Sequence, residues 1–196
     1  MANVDQHAPG SFCWFELATT DQAAAKNFYQ SLFGWTSQDF PMGPGATYTM
    51  FSLDGRNAGA TYALNPQQKA QGVPADWALY VAVQDADDTA RRAAQLGAQI
   101  FMPPFDVDGH GRMTVMADPT GAVFCIWQAK HHQGVGITGV DGTVCWADLN
   151  TPQPEQAQEF YRQLFGWHMN LGEKDPSGYV HIVNGETPIG GIPPAE

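Results

Sequence analysis

The sequence predicts an α+β fold assembled from repeated β-α-β-β-β units. Three observations predict it: an internal repeat, helix start and stop signals at matching places in the copies, and hairpin turns after the helices. The repeat comes first because it sets the architecture. Residues 13–35 (CWFELATTDQAAAKNFYQSLFGW) and 145–167 (CWADLNTPQPEQAQEFYRQLFGW) align without a gap at a spacing of 132, with 11 identities in 23 positions. The matches include Cys13-Trp14 with Cys145-Trp146, Phe28-Tyr29 with Phe160-Tyr161, and Leu32-Phe33-Gly34-Trp35 with Leu164-Phe165-Gly166-Trp167.

Each copy opens with strand-forming residues and passes a threonine able to cap a helix, Thr19 or Thr151. It then shows helical spacing of apolar residues and stops at Gly34 or Gly166, which suit the left-handed position past a last turn. Pro152 fits the first helical position of the later copy. Downstream, 46–53 and 58–64 flank an Asp54-Gly55 turn, while 178–183 and a last strand near Ile189 flank Asn184-Gly185. A weaker copy lies between: a strand at 77–83, a helix at 85–96 ended by Gly97, and a hairpin of 111–117 with 122–128 across Asp118-Pro119-Thr120-Gly121. Boundaries fall at 65–75, rich in Pro, Gln and Gly, and in the His- and Gly-rich stretch after Lys130. The expected organisation is a domain at 10–129, with units 10–65 and 75–129, then a linker at 130–141 and a third unit at 142–196.

Composition narrows the function. With 43% hydrophobic and 12% aromatic residues the chain can bury real cores, and 21 glycines with 14 prolines suit short elements joined by tight turns. A net charge of -11 with only nine scattered Lys and Arg argues against nucleic acid and acidic membranes as partners. The N-terminal ten residues lack a signal-peptide pattern and no stretch is apolar enough to span a bilayer, so a cytoplasmic location is expected. Three cysteines, two of them beside tryptophans in strand-like runs, read as small hydrophobes, not disulfides. No Ser-His-Asp order, phosphate loop or CxxC motif is present.

The run Phe28-Tyr29-x-x-Leu32-Phe33-Gly34-Trp35 after a strand, then Gly97 and the Asp118-Pro119-x-Gly121 turn before a last strand, resembles the vicinal oxygen chelate superfamily of glyoxalases, bleomycin-resistance proteins and extradiol dioxygenases. The tandem pattern is similar to a two-domain glyoxalase-like branch that carries four units. The resemblance implies that two units pair into a curved eight-stranded mixed sheet around a pocket for small ligands. In metal-dependent members, His and Glu from the first and last strands chelate a divalent ion. Here those slots carry Trp14, Gly59, Ala78 and Cys125, and the third unit offers Trp146 with Gly190 or Gly191. Indole and methyl groups supply no donor, so no metal and no cofactor are expected.

Strand alternation puts Glu16 on the face of Trp14, and Tyr80 and Trp127 on the same pocket wall; the third unit repeats the pattern as Trp146 and Asp148. An inward carboxylate makes Glu16 a candidate acid or base, and His110, between Gly109 and Gly111 near Asp108 and Arg112, is a second candidate. His131 and His132 read as a solvated linker pair. The loop 38–45 is expected to shape the pocket. The implied function is binding of a small aromatic or hydrophobic molecule in a metal-free pocket. The alternative is an enzyme of the same superfamily: a metal-dependent lyase, isomerase or dioxygenase, or an acid-base catalyst using Glu16. A lone third unit would leave a sheet face and edge uncovered, so a homodimer through that unit is expected, with packing on the first domain as the other solution. The chain stops at Pro193-Pro194-Ala195-Glu196, a unit boundary, which gives the expectation of a missing fourth unit.

Overall fold

Three β-α-β-β-β repeats follow one another in the computed structural model, which describes residues 2–171 and 177–194. A short strand β1 (Ala2–Asn3) precedes the first repeat: β2 (Phe12–Thr19), α1 (Gln22–Phe33), β3 (Thr36–Pro41), β4 (Thr47–Leu53) and β5 (Arg56–Ala63). A one-turn helix α2 (Pro66–Ala70) leads to the second: β6 (Asp76–Ala82), α3 (Ala86–Gln95), β7 (Gln99–Ile100), β8 (Phe105–Val107), β9 (Gly111–Ala117) and β10 (Val123–Ala129). After β11 (Ile137–Thr138) comes the third: β12 (Ala147–Asp148), α4 (Pro154–Phe165), β13 (His168–Leu171), β14 (Val180–Asn184) and β15 (Thr187–Ile192). The α+β class holds, and the sheets are mixed, with β5 parallel to β2 and β10 parallel to β6.

Local chemistry explains the boundaries. The α1 helix starts where the Asp21 carboxylate accepts the Ala24 N–H at 2.9 Å, and Thr19 supports this from behind by accepting the Asp21 N–H. Gly34 and Gly166 end α1 and α4 at φ 69° and 73°, each donating its N–H back to the preceding turn, at Gln30 and Arg162. In α4 the proline at the helix start is Pro154 and not Pro152, because Thr151 accepts the Gln153 N–H and holds the entry one turn-step later. The stretch read as a loop at 38–45 is half strand: β3 pairs antiparallel with β4 from Thr36–Ser52 to Pro41–Thr47. It is a mostly exposed edge strand without apolar alternation, so period two was invisible in the sequence.

The chain folds as two compact bodies whose limits cut across the repeats. The first comprises Met1–Gln6, Trp14–Leu79 and Gln133–Val144. Its strands run β3-β4-β5-β2, and its core is Trp35, Phe51 and Ala58 with Tyr29, Leu53 and Trp77 packed against them. The Gln22 amide stitches this body by donating to Thr47 O, Thr49 Oγ1 and Thr61 O at 2.9–3.0 Å. The second body comprises His7–Cys13, Tyr80–His132 and Cys145–Glu196. Its strands run β6-β10-β9-β7, with a separate sheet β12-β15-β14-β13. One core joins the second and third repeats: Val81, Met116, Phe124 and Ile126 pack with Phe160, Tyr161, Leu164 and Trp167 of α4 and its C-terminus. The segment before β2 is strapped to this core, since Trp167 Nε1–H donates to Gly10 O at 2.9 Å and Asn184 Nδ2–H to Pro9 O at 3.0 Å.

Candidate functional site

In the first body, strand β2 presents a hydrogen-bonded triad. Trp14 is 3% exposed, and its indole N–H donates to the Tyr48 hydroxyl at 3.0 Å. That hydroxyl in turn donates to Glu16 Oε2 at 2.8 Å. Trp14 and Glu16 share a strand face as alternation requires, and Tyr48 reaches them from β4. Burial, then the Glu16 charge and the hydrogen bond to it, hold the Tyr48 phenol well above its ordinary range. The hydroxyl therefore stays protonated and its proton is committed to Glu16. Across the sheet Ala60 stands beside Glu16, while Gly59 stands opposite Phe51, with the Phe15 carbonyl 3.1 Å from where a Cβ would sit. Ala78 lies half-buried on β6.

The other expected pocket residues belong to the second body. Cys125 of β10 pairs with Tyr80 of β6, and both are 3% exposed. Tyr80 and Trp127 meet edge to face at 6.4 Å, and the Tyr80 hydroxyl points at Met113 Sδ, 4.0 Å away. Trp127 lies flat over Gly111, where an added Cβ would sit 2.3 Å from the ring, and its N–H donates to His132 O at 2.8 Å. His132 is half-buried with its ring 5.8 Å from Trp127. Burial, followed by the charges of His110 and His7, pushes its pKa down to about 4. It is thus not the solvated linker residue its sequence neighbourhood suggested; His131 is. His110 is exposed in the turn between β8 and β9, and its carbonyl accepts the backbone N–H groups of Lys130 and His132. Arg112 is engaged by Asp87 and Asp106. Burial raises the Cys13 thiol to about 12, which suits packing and not nucleophilic chemistry.

The third repeat rebuilds the triad. Trp146 Nε1–H donates to the Tyr179 hydroxyl at 2.6 Å and to Asp148 Oδ1 at 3.1 Å, and Tyr179 donates to the same Asp148 oxygen. Trp146 is 38% exposed here. His181 adds a ring, 5.9 Å from Trp146 and 5.1 Å from Tyr179. Tyr48 and Tyr179 were not singled out from the sequence. Continuing the repeat alignment beyond Trp35 and Trp167 with a one-residue gap would have matched them.

A sequence profile described as the glyoxalase/bleomycin resistance protein/dioxygenase superfamily matches residues 11–126. The chain belongs to that superfamily. It is 37% identical over 193 residues to CFP32 of Mycobacterium bovis, named provisionally as a glyoxylase, covering 97% of this chain and 74% of that protein. It is 38% identical over 203 residues to the anthracycline biosynthesis protein DauV of a Streptomyces species, covering 96% and 72%. Among solved structures, the Mn(II)-bound glyoxalase from Novosphingobium aromaticivorans matches with a TM-score of 0.65 at 14% identity, a likeness of fold. The match covers 95% of this chain but 62% of the length of that protein.

Part of this superfamily works with a chelated divalent ion, and the residues present here do not fit one. The first-strand positions hold indole or methyl groups, Trp14 and Ala78, and neither supplies a donor. Among the described residues no group of three or more His, Cys, Asp or Glu is placed to hold a metal. No helix among them is long and apolar enough to cross a membrane.

Proposed function

We propose that this glyoxalase/bleomycin-resistance-like chain binds a small, planar aromatic or hydrophobic molecule in a pocket that works without metal. The observation that carries this reading is the Trp14–Tyr48–Glu16 triad. At the strand position where metal-using relatives place a donor, this chain places a buried indole whose N–H is already bonded. Such a site has an apolar backing and a single oriented carboxylate, the usual composition of a small-molecule pocket. The similarity to an anthracycline biosynthesis protein supports an aromatic ligand, since anthracyclines are planar fused-ring compounds.

A second reading, acid-base catalysis by Glu16, draws support from the same hydrogen bond, because Tyr48 orients the carboxylate. The two readings part on the tyrosine, whose proton is held by Glu16 in the resting site and so is not offered to a ligand.

The test is calorimetric titration of chelator-dialysed protein with planar aromatics, paired with elemental analysis. Micromolar binding that survives the chelator, and that Glu16→Gln weakens about tenfold, is expected. About one transition metal per chain, with binding lost on its removal, would overturn the metal-free reading. Turnover abolished by Glu16→Gln with unchanged affinity would favour catalysis.

A further inference from the structure

The third-repeat cluster belongs to the second body, and it is the more accessible of the two triads. Its rings stand on one short sheet: Trp146 just before β12, Tyr179 just before β14 and His181 within it. The register explains the assembly. Asp148 pairs with Gly191, and His181 pairs with Gly191 from the other side, so the carboxylate and the imidazole flank a residue that has no side chain. The Tyr179 ring fills that space, its hydroxyl 1.9 Å from where a Gly191 Cβ would sit. A glycine there is what lets tyrosine, aspartate and tryptophan meet.

Every hydrogen bond that Asp148 receives from described residues goes to one oxygen, Oδ1. Oδ2 takes none among them, and the residue is exposed. The cluster therefore presents a free, oriented carboxylate oxygen beside the faces of an exposed tryptophan and a half-buried tyrosine. Aromatic faces attract cations through their quadrupoles, and a carboxylate does so by charge. On a chain of net charge -11 the long-range field has the same sign.

We propose that the third repeat is a second ligand site, independent of the first-repeat pocket, for a planar aromatic molecule that carries a protonated nitrogen. The nitrogen meets Asp148 Oδ2 and the ring system lies on Trp146. Tyr179 is a positioning residue that fixes the carboxylate, and His181 bounds the site where the first repeat has Met50, the residue paired with Ala60. The site takes cations in preference to neutral rings.

The test titrates the full chain with 9-aminoacridine, a planar cation at neutral pH, and with acridone, a neutral molecule of similar shape. In wild-type protein 9-aminoacridine binds, and Asp148→Asn weakens it at least tenfold while changing acridone affinity less than twofold. Tyr179→Phe gives a smaller loss of the same kind, and Glu16→Gln leaves the Asp148-dependent part of the binding in place. Circular dichroism and thermal unfolding of each variant confirm that the fold persists. The proposal is overturned if 9-aminoacridine does not bind, if Asp148→Asn leaves its isotherm unchanged, or if both dyes lose affinity equally. Binding lost only in Glu16→Gln would remove the third-repeat site and leave the first-repeat pocket standing.

Discussion

Helices α1 and α4 carry the same motif, Phe-Tyr-x-x-Leu-Phe-Gly-Trp, and meet opposite fates. In α4, Phe160 and Leu164 are each 3% exposed, clamped in the core shared with Phe124 and the alanines of α3. In α1, the matching Phe28 and Leu32 are 57% and 56% exposed. The tyrosine, the second phenylalanine and the tryptophan of the motif are employed alike, Tyr29 stacking on Phe33 and Trp35 and Tyr161 on Phe165 and Trp167. The difference teaches that this motif specifies a helix and its own strand-side packing, while its outer face takes whatever the rest of the chain supplies. The two triads repeat the lesson on the sheet side, with Trp14 buried and Trp146 exposed.

Truncation is the strongest way to sharpen the comparison. Phe160→Ala should cost about 3–5 kcal/mol of stability by opening a cavity in the shared core. Phe28→Ala should cost under about 1 kcal/mol, because its ring is already in water. Urea unfolding midpoints of the two variants measure the gap, and equal losses would mean that α1 is covered in solution.

A pH ramp probes a feature of the second body that the first lacks. The unfolded chain protonates His132 near its ordinary pKa of 6.5, while the folded protein resists until about 4. Folding therefore retains its full stability above pH 6.5 and loses it as the pH falls toward 4, by about 3 kcal/mol from this group. The carboxylates held low by their cationic partners, Asp39, Asp87, Asp106 and Glu159, are lost only at lower pH, so the two windows separate. His132→Gln should flatten the stability profile between pH 6.5 and 4. An unchanged profile would break the assignment.

The smallest effect compares the hydroxyls. Tyr48→Phe withdraws a hydrogen bond from both Trp14 and Glu16 at a half-buried position, an expected loss of about 1–3 kcal/mol. Tyr179→Phe, where water can replace the bond, should cost under about 0.5 kcal/mol. Thermal unfolding of the pair gives the ranking, and a reversed order would show that the third-repeat triad is the structural one.

What could be read in the sequence was whatever is set within a repeat. Gly34 and Gly166 marked helix ends because only a left-handed residue closes them, and Trp14 with Glu16 shared a face because alternation has no exceptions within an unbroken strand. The family, and the superfamily-level reading of function, followed from the same motifs. What could not be read was set between repeats. Nothing local distinguishes Phe28 from Phe160, and Tyr48 looks like any strand tyrosine until β4 is laid beside β5 and β2. The edge strand β3 was hidden for a related reason, since a strand exposed on both faces carries no alternation. His132 misled because its burial comes from Trp127, five residues earlier on another turn of the chain.

The strap at His7–Cys13 has a consequence for how the chain is made. Its anchors, Trp167 and Asn184, lie 157 and 175 residues downstream of Gly10 and Pro9. During synthesis the strap first meets β6, where the Gly10 N–H donates to Ala82 O and Ser11 O accepts the Ala82 N–H, and it gains its remaining anchors only with the third repeat. Contacts of such sequence separation form slowly, because the loop between their ends must close before they gain anything. The second body therefore completes only after the third repeat has left the ribosome, whereas most of the first body, 14–79, has all its own strands in hand far earlier. For the intervening time the strap is held by β6 alone, and the side that Trp167 and Asn184 later cover is open to chaperones and to proteases alike.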